Sequence, residues 1–263
     1  MEPIIKIKNL SVIYDQSLSS EVRALDNINL EINPQEFVII FGPSGCGKST
    51  LLYAISGMET HYFGEILIAG ENLAKLSALK LAQFRRNRTG LVFQAYNLIP
   101  TLNVLTNVLL PQIFKGASAF TRLKKAKKLL GKFGLLTFVS RLPQFLSGGQ
   151  QQRVAIARAL INNPDIILAD EPLGNLDSKS ALEVMKILKE LNEKESKTII
   201  MVTHEALYLK YAEKIIYMKD GGIIKIETQK PIEVGESLEM GGEPAGTRHI
   251  KVKERIDKYL VSS

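Results

Sequence analysis

The sequence predicts an α/β protein whose core is a mainly parallel sheet, with an antiparallel β edge and an inserted helical subdomain. Three observations predict it. Residues 36–41 and 165–169 are, behind a leading carboxylate (Glu36 and Asp165), continuous apolar runs, the pattern of strands covered on both faces. Strand-like runs alternate with helical periodicity around them, which calls for parallel strands with helical crossovers. A glycine-rich loop at residues 42–50 joins a buried strand to a helix, the setting of a phosphate-binding P-loop.

Residues 4–10 and 25–32 alternate apolar with polar positions and predict two half-buried antiparallel strands. The buried strand at 36–41 leads into the glycine loop, and a helix over 49–56 is closed by Gly57. Short strands follow at 64–69 and 90–93. Helical patterns cover 124–133 and 148–161, the second stopped by Asn163 and Pro164. Strands at 165–169 and 198–202 flank an amphipathic helix at 178–192, with Leu182, Met185, Leu188 and Leu191 on one face. Lys219, Asp220 and Gly221 make a hairpin turn between runs at 214–218 and 222–226. The expected organisation is one domain over 1–228, with a helical subdomain inserted at about 95–164, and an extension over 229–263. In that extension Gly235, Gly241, Gly242, Pro244 and Gly246 mark a linker, and 248–261 reads as a short helix.

A chain of 263 residues, 45% hydrophobic and 23% charged, has the means to bury one substantial core. Its single cysteine, Cys46, excludes an internal disulfide and fits a reducing compartment. The first residues lack the basic-then-apolar layout of a secretory signal. Residues 89–114 carry no charge and are long enough to span a bilayer. They also hold Gln94, Asn97, Asn103, Asn107, Pro100 and Pro111, which are costly in hydrocarbon. The segment is therefore expected to be buried and partner-facing.

Charge is unevenly distributed. Residues 73–163 contain fifteen Lys and Arg and no Asp or Glu, so the rest of a chain totalling +7 is net −8. A basic middle calls for an anionic neighbour: lipid headgroups, nucleic acid or an acidic protein loop. The cluster Lys124, Lys125, Lys127 and Lys128 also has the plainer reading of a solvated helix face.

Three strings carry chemistry. Gly42, Pro43, Ser44, Gly45, Cys46, Gly47, Lys48, Ser49 and Thr50 match the P-loop at every fixed position. The loop amides and the following helix would cradle phosphates, with Lys48 on the β- and γ-phosphates and the Ser49 hydroxyl on Mg²⁺. The buried strand at 165–169 ends in Asp170 and Glu171, two carboxylates that cost desolvation unless a cation is near. Asp170 is the candidate metal residue and Glu171 the general base for water. Residues 146–153, Leu-Ser-Gly-Gly-Gln-Gln-Gln-Arg, place Ser147 as the cap of a helix whose first amides could face a γ-phosphate.

With that third string, residues 4–228 strongly resemble the ATP-binding cassette (ABC) ATPases. The resemblance implies ATP hydrolysis with Mg²⁺. It assigns Gln94 to metal sensing and subdomain linkage, and His204 to the γ-phosphate. Residues 173–177 would contact an opposing subunit, where Leu173 replaces the usual threonine, and Tyr14 is the candidate adenine-stacking aromatic. It further implies that two copies pair head to tail, so that Ser147, Gly148, Gly149 and Gln150 complete the partner copy's site. Residues 84–94 and 97–102 resemble the branch of macrolide-exporter and lipoprotein-releasing ATPases, with cell-division ATPases a weaker match. That branch implies a separate membrane permease, a place on the cytoplasmic face of the membrane, and no nucleic acid. A mechanical signalling ATPase and a soluble ATPase acting on nucleic acid stand as the alternatives. Cys46 is read as a spacer whose modification would block ATP binding.

Overall fold

The computed structural model describes residues 2–14 and 21–231. The linker and helix expected beyond 231 lie outside the described residues. Two sheets make up the β structure, and each predicted strand is present. β1 (Ile5–Tyr14) and β2 (Val22–Ile32) pair antiparallel, and β4 (Phe63–Ile68) with the short β5 (Glu71–Asn72) extends them in the order β2-β1-β4-β5. This is the antiparallel edge that the alternating patterns predict.

The second sheet has the order β10-β9-β3-β8-β7-β6. Here β3 (Phe37–Phe41), β6 (Thr89–Phe93), β7 (Ile166–Asp170), β8 (Thr198–Thr203) and β9 (Lys214–Lys219) run parallel, and β10 (Gly222–Thr228) closes the hairpin. Every residue of β3, β7 and β8 is buried. Burying side chains such as Phe37, Ile39 and Ile40 stabilises the fold by about 1.5–3 kcal/mol each. The sheet faces define two cores. One packs Ile40, Leu168 and Val202 against α1 (Lys48–Ser56) and the antiparallel sheet. The other packs Ile39, Ala169 and Met201 against α5 (Gly148–Leu160) and α6 (Ser178–Glu195).

Helices α3 (Val104–Phe114) and α4 (Ala119–Lys132) add Val108, Ala126 and Leu130 to that second core. The charge-free stretch thus divides into β6, a loop and α3. No helix among the described residues is long and apolar enough to cross a membrane. The stretch's buried side-chain amides, Asn107 and Gln112, are spent internally. Asn107, fully buried, accepts from the Ile99 amide at 2.8 Å and donates to the Leu102 carbonyl at 2.8 Å. Gln112 donates to the Ile161 carbonyl at 3.1 Å and to Asn162 Oδ1 at 2.6 Å. Pro111 lies inside α3 without ending it.

Two helices, α4 and α2 (Ala78–Arg88), depart most from the periodicity. α4 begins at Ala119, because the Ser118 side chain caps it by accepting from the Thr121 amide. α2 was not expected at all, since only Leu81 and Phe84 of it are buried, Leu79 is exposed and most of the rest is basic or polar.

Candidate active site

Strand β3 ends at Phe41, and the chain turns through residues 42–47 into α1. Steric space dictates the glycines of this turn. A Cβ on Gly42 would sit 2.2 Å from the Met218 carbonyl oxygen, and one on Gly47 2.3 Å from that of Ala24. Gly47 also takes φ 96, a left-handed geometry that strains an L side chain. Lys48 lies along the loop, donating from Nζ to the Gly42 and Pro43 carbonyls at 2.9 and 2.7 Å. Its ammonium keeps a third donor for a phosphate oxygen.

The start of α1 differs from that of every other α-helix among the described residues. Ser77, Asn103, Ser118, Ser147 and Asp177 cap α2 to α6 with a side-chain oxygen on a first-turn amide. Gly47 gives α1 no such group. The first-turn amides of α1 therefore remain open donors at the positive end of the helix dipole, the arrangement that binds a phosphate.

On the next turn two hydroxyls meet one carboxylate. Ser49 donates to Asp170 Oδ1 at 2.8 Å, and Tyr53 donates to Asp170 Oδ2 at 2.7 Å. Burial first, then the hydrogen bond and charge of Asp170, push the Tyr53 phenol up to about 12. It stays a donor at neutral pH. The Ser49 hydroxyl and Asp170 carboxylate are adjacent hard oxygens, a donor set that fits Mg²⁺ with phosphate and water filling the remaining positions. Among the described residues no group of three or more His, Cys, Asp or Glu could hold a metal as an all-protein cage.

Glu171 follows Asp170 with φ 44 and donates its amide to the Val202 carbonyl at 3.1 Å. A left-handed glutamate costs about 1 kcal/mol, and such strain collects at functional sites. The bend brings it beside His204, just past β8, whose Nδ1 is 3.1 Å from Glu171 Oε1. A carboxylate oxygen accepts, so this contact is a hydrogen bond when the imidazole proton sits on Nδ1. The pair lies at the carboxyl ends of β7 and β8, where parallel sheets place their ligands.

The remaining candidates form a second group. Gln94 directly follows β6, and its carbonyl accepts from Asn175 Nδ2 at 3.1 Å. A Cβ on Gly174 would come within 3.0 Å of the Gln94 side-chain amide, so Gly174 leaves that amide its room. Ser147 and Gln150 form a reciprocal capping box at the start of α5. Gly148 is held close to the Tyr96 hydroxyl and Gly149 close to Ser180, where a Cβ would sit 2.8 and 2.6 Å away. No hydrogen bond among the described residues joins residues 147–150 to the loop at 42–50. Within one chain the phosphate loop and this helix start are separate groups.

Three further residues are placed by their surroundings. Tyr14 is tied by its hydroxyl to Glu59 at 2.9 Å and stands beside Thr50, its phenol raised first by burial and then by Glu59. Its ring remains partly exposed at the end of β1. Cys46 is buried at 4% exposure, and burial raises its thiol, so it is an inward packing residue and a poor target for modification. Leu173 is buried at 3% among core side chains of its own chain.

Two residues here were not anticipated. Tyr53 is one helical turn beyond Ser49, a position no short motif specifies. Arg158 of α5 donates to the Asn97 and Tyr96 carbonyls at 2.6 and 3.0 Å, fastening the loop after Gln94 to the helix that Ser147 caps. Both follow only from the helix phase once the start of each helix is fixed.

A glycine-shaped phosphate cradle, a carboxylate pair at the sheet edge and a helical segment bearing the serine-capped, glycine-led start of α5 define an α/β nucleotide hydrolase. The chain belongs to the ABC transporter family, whose profile matches residues 25–174, and it is an ATP-binding subunit with ATPase chemistry. It is 52% identical over 223 residues, 85% of its length and 99% of the relative's, to an uncharacterized ABC transporter ATP-binding protein of Methanocaldococcus jannaschii. It is 43% identical over 251 residues, 95% of its length, to the macrolide export ATP-binding/permease protein MacB of Wolinella succinogenes, of which it spans 38%. The ATP-binding cassette MJ0796, in a dimeric post-hydrolysis state bound to ADP and Pi, superposes with a TM-score of 0.80 at 44% identity, covering 87% of this chain and all of that one.

Proposed function

We propose that the chain is the energy-coupling subunit of a membrane transport or extraction complex, working as an ATP-dependent head-to-tail homodimer on a separate permease. The observation that carries this reading is the separation just described. The open amides of α1 and the Glu171–His204 pair face a nucleotide from one side, while the capped start of α5 lies elsewhere in the same chain. A second copy supplies the missing side. Ser147, Gly148 and Gly149 of one copy then cover the γ-phosphate held by Lys48 of the other, and ATP bridges the two.

Glu171 orients and deprotonates the attacking water, and His204 presents its outer ring nitrogen to the γ-phosphate. Ser49 and Asp170 would hold Mg²⁺, which supplies charge neutralisation at the β- and γ-phosphates. Gln94, held against Gly174 and Asn175, reports that occupancy to the loop that Arg158 anchors. Tyr14 lies at the edge of the loop, where an adenine ring would stack.

The permease contact is best served by a groove of about 350 Å³ between α2, β6, α3 and α5. It offers apolar Leu91, Phe93 and Pro111 beside Arg85, Arg86 and Arg158, a floor and a charged rim suited to a short cytoplasmic helix. The relation to permease-fused MacB proteins supports this assignment and a position on the cytoplasmic face of the membrane.

Size measurement of Glu171→Gln with and without ATP tests the reading. Hydrolysis is blocked while binding is retained, so ATP should convert a monomer into a stable dimer. A variant that binds ATP and remains monomeric overturns it.

A further inference from the structure

We propose that the turn between α3 and α4 is a membrane-contacting tip that inserts into the headgroup layer of an anionic bilayer. This rests on the reading that the chain works beside a membrane, and it adds a direct lipid contact to the permease contact.

The tip is defined by its backbone. α3 ends at Phe114, and the Gly116 and Ala117 amides donate to the Ile113 and Gln112 carbonyls. Ser118 then starts α4, so the reversal takes four residues. Phe114 and Phe120 bracket it at 73% and 78% exposure, the two most exposed aromatic side chains among the described residues. Ile113 and Leu123 are exposed beside them. Apolar side chains projecting together from a helix turn have nothing to bury against in the chain itself.

The charge around them has one sign. Lys115, Lys124, Lys125, Lys127 and Lys128 are exposed, and none forms an ion pair among the described residues. With Ala126 and Leu130 facing the core, helical geometry puts Lys124 and Lys128 on the side away from it, with Phe120 and Lys127 on the adjoining exposed flank. No carboxylate occurs anywhere in residues 73–163 to set a register with a folded partner. A protruding aromatic pair ringed by long, flexible cations matches a deformable anionic surface, where Phe enters the interface and Lys stems reach headgroups.

The sequence contains no tryptophan, so Phe120→Trp in the full chain is a single fluorescent reporter. With vesicles of phosphatidylglycerol and phosphatidylcholine its emission should shift to the blue and the protein should sediment with the lipid. Added salt should release it, and phosphatidylcholine alone should do neither. Phe114→Ser with Phe120→Ser, and separately Lys124→Glu with Lys128→Glu, should lower partitioning at least tenfold, with ATPase rate and melting temperature unchanged. No blue shift, or partitioning equal in the serine variant, overturns the proposal. Loss of permease co-purification with unchanged vesicle binding also overturns it and gives the tip to a protein partner. ATP-dependent dimerisation of Glu171→Gln is independent of all these outcomes, so a failure of either reading is recognised separately.

Discussion

The Tyr53 hydroxyl donates to Asp170 Oδ2 at 2.7 Å while Ser49 holds Oδ1, so both oxygens of the proposed metal carboxylate are fixed by side chains one turn apart on α1. The carboxylate cannot rotate without breaking one of these bonds. A phosphate-bound cation would meet it already oriented, which is the value of such outer partners at metal sites.

Tyr53→Phe keeps the ring and removes the bond. A hydrogen bond to a charged group contributes about 1.5–3 kcal/mol, and partial exposure of Tyr53 places the expected loss at the lower end. The Mg²⁺ concentration for half-maximal ATPase activity should rise, and Mn²⁺ affinity measured by electron paramagnetic resonance with ADP should fall. Unchanged metal affinity with an unchanged urea midpoint removes Tyr53 from this role.

The raised Tyr53 phenol carries a pH consequence. A phenol ordinarily ionises near 10 and here near 12, so its contribution is complete below pH 10 and is lost as the pH rises from 10 through 12. Wild-type melting temperature should fall across that window more than that of Tyr53→Phe. Tyr208, also raised to about 12, mainly by burial, leaves part of the fall in both proteins. Parallel curves would contradict this account.

Gly47→Ala tests the cradle. The new Cβ would lie 2.3 Å from the Ala24 carbonyl at φ 96, so the loop must shift away from β2. ATP binding should weaken by at least tenfold in equilibrium titration, and stability should drop by more than the ~1 kcal/mol of ordinary strain. Near-normal affinity would show that the loop has freedom the geometry denies it.

Asn107→Leu tests whether the charge-free stretch is held by its buried amide. Without that side chain the Ile99 amide and the Leu102 carbonyl lose their partners. Leaving buried polar groups unpaired costs about 1–3 kcal/mol each, and chemical denaturation should register a loss of roughly that size or more. A loss under 0.5 kcal/mol, about the scale of a neutral surface change, would mean that water replaces the amide.

Strands were legible because burial leaves a direct trace: behind Glu36 and Asp165, residues 37–41 and 166–169 are apolar throughout and fall in the fully buried β3 and β7. The phosphate loop, Asp170 and Glu171 were legible because their chemistry fixes residue type and spacing, whereas His204 was a candidate only through the family resemblance. α2 was not, since two buried residues in eleven give no periodicity. α3 carried the opposite ambiguity, being apolar around most of its circumference with a proline inside. The buried state of Leu173 and Cys46, and the Tyr53 contact, depend on elements distant in sequence. No local pattern encodes them.

The central claim is that the start of α5 completes the nucleotide site of a second copy. Lys48→Ala removes the phosphate loop's charge and keeps that helix, whereas Ser147→Arg obstructs the helix and keeps the loop. Each variant alone should be nearly inactive as an ATPase. When they are mixed, the heterodimer pairs the intact loop of one with the intact helix of the other, and activity should return well above either alone. A mixture no more active than its components would contradict the account.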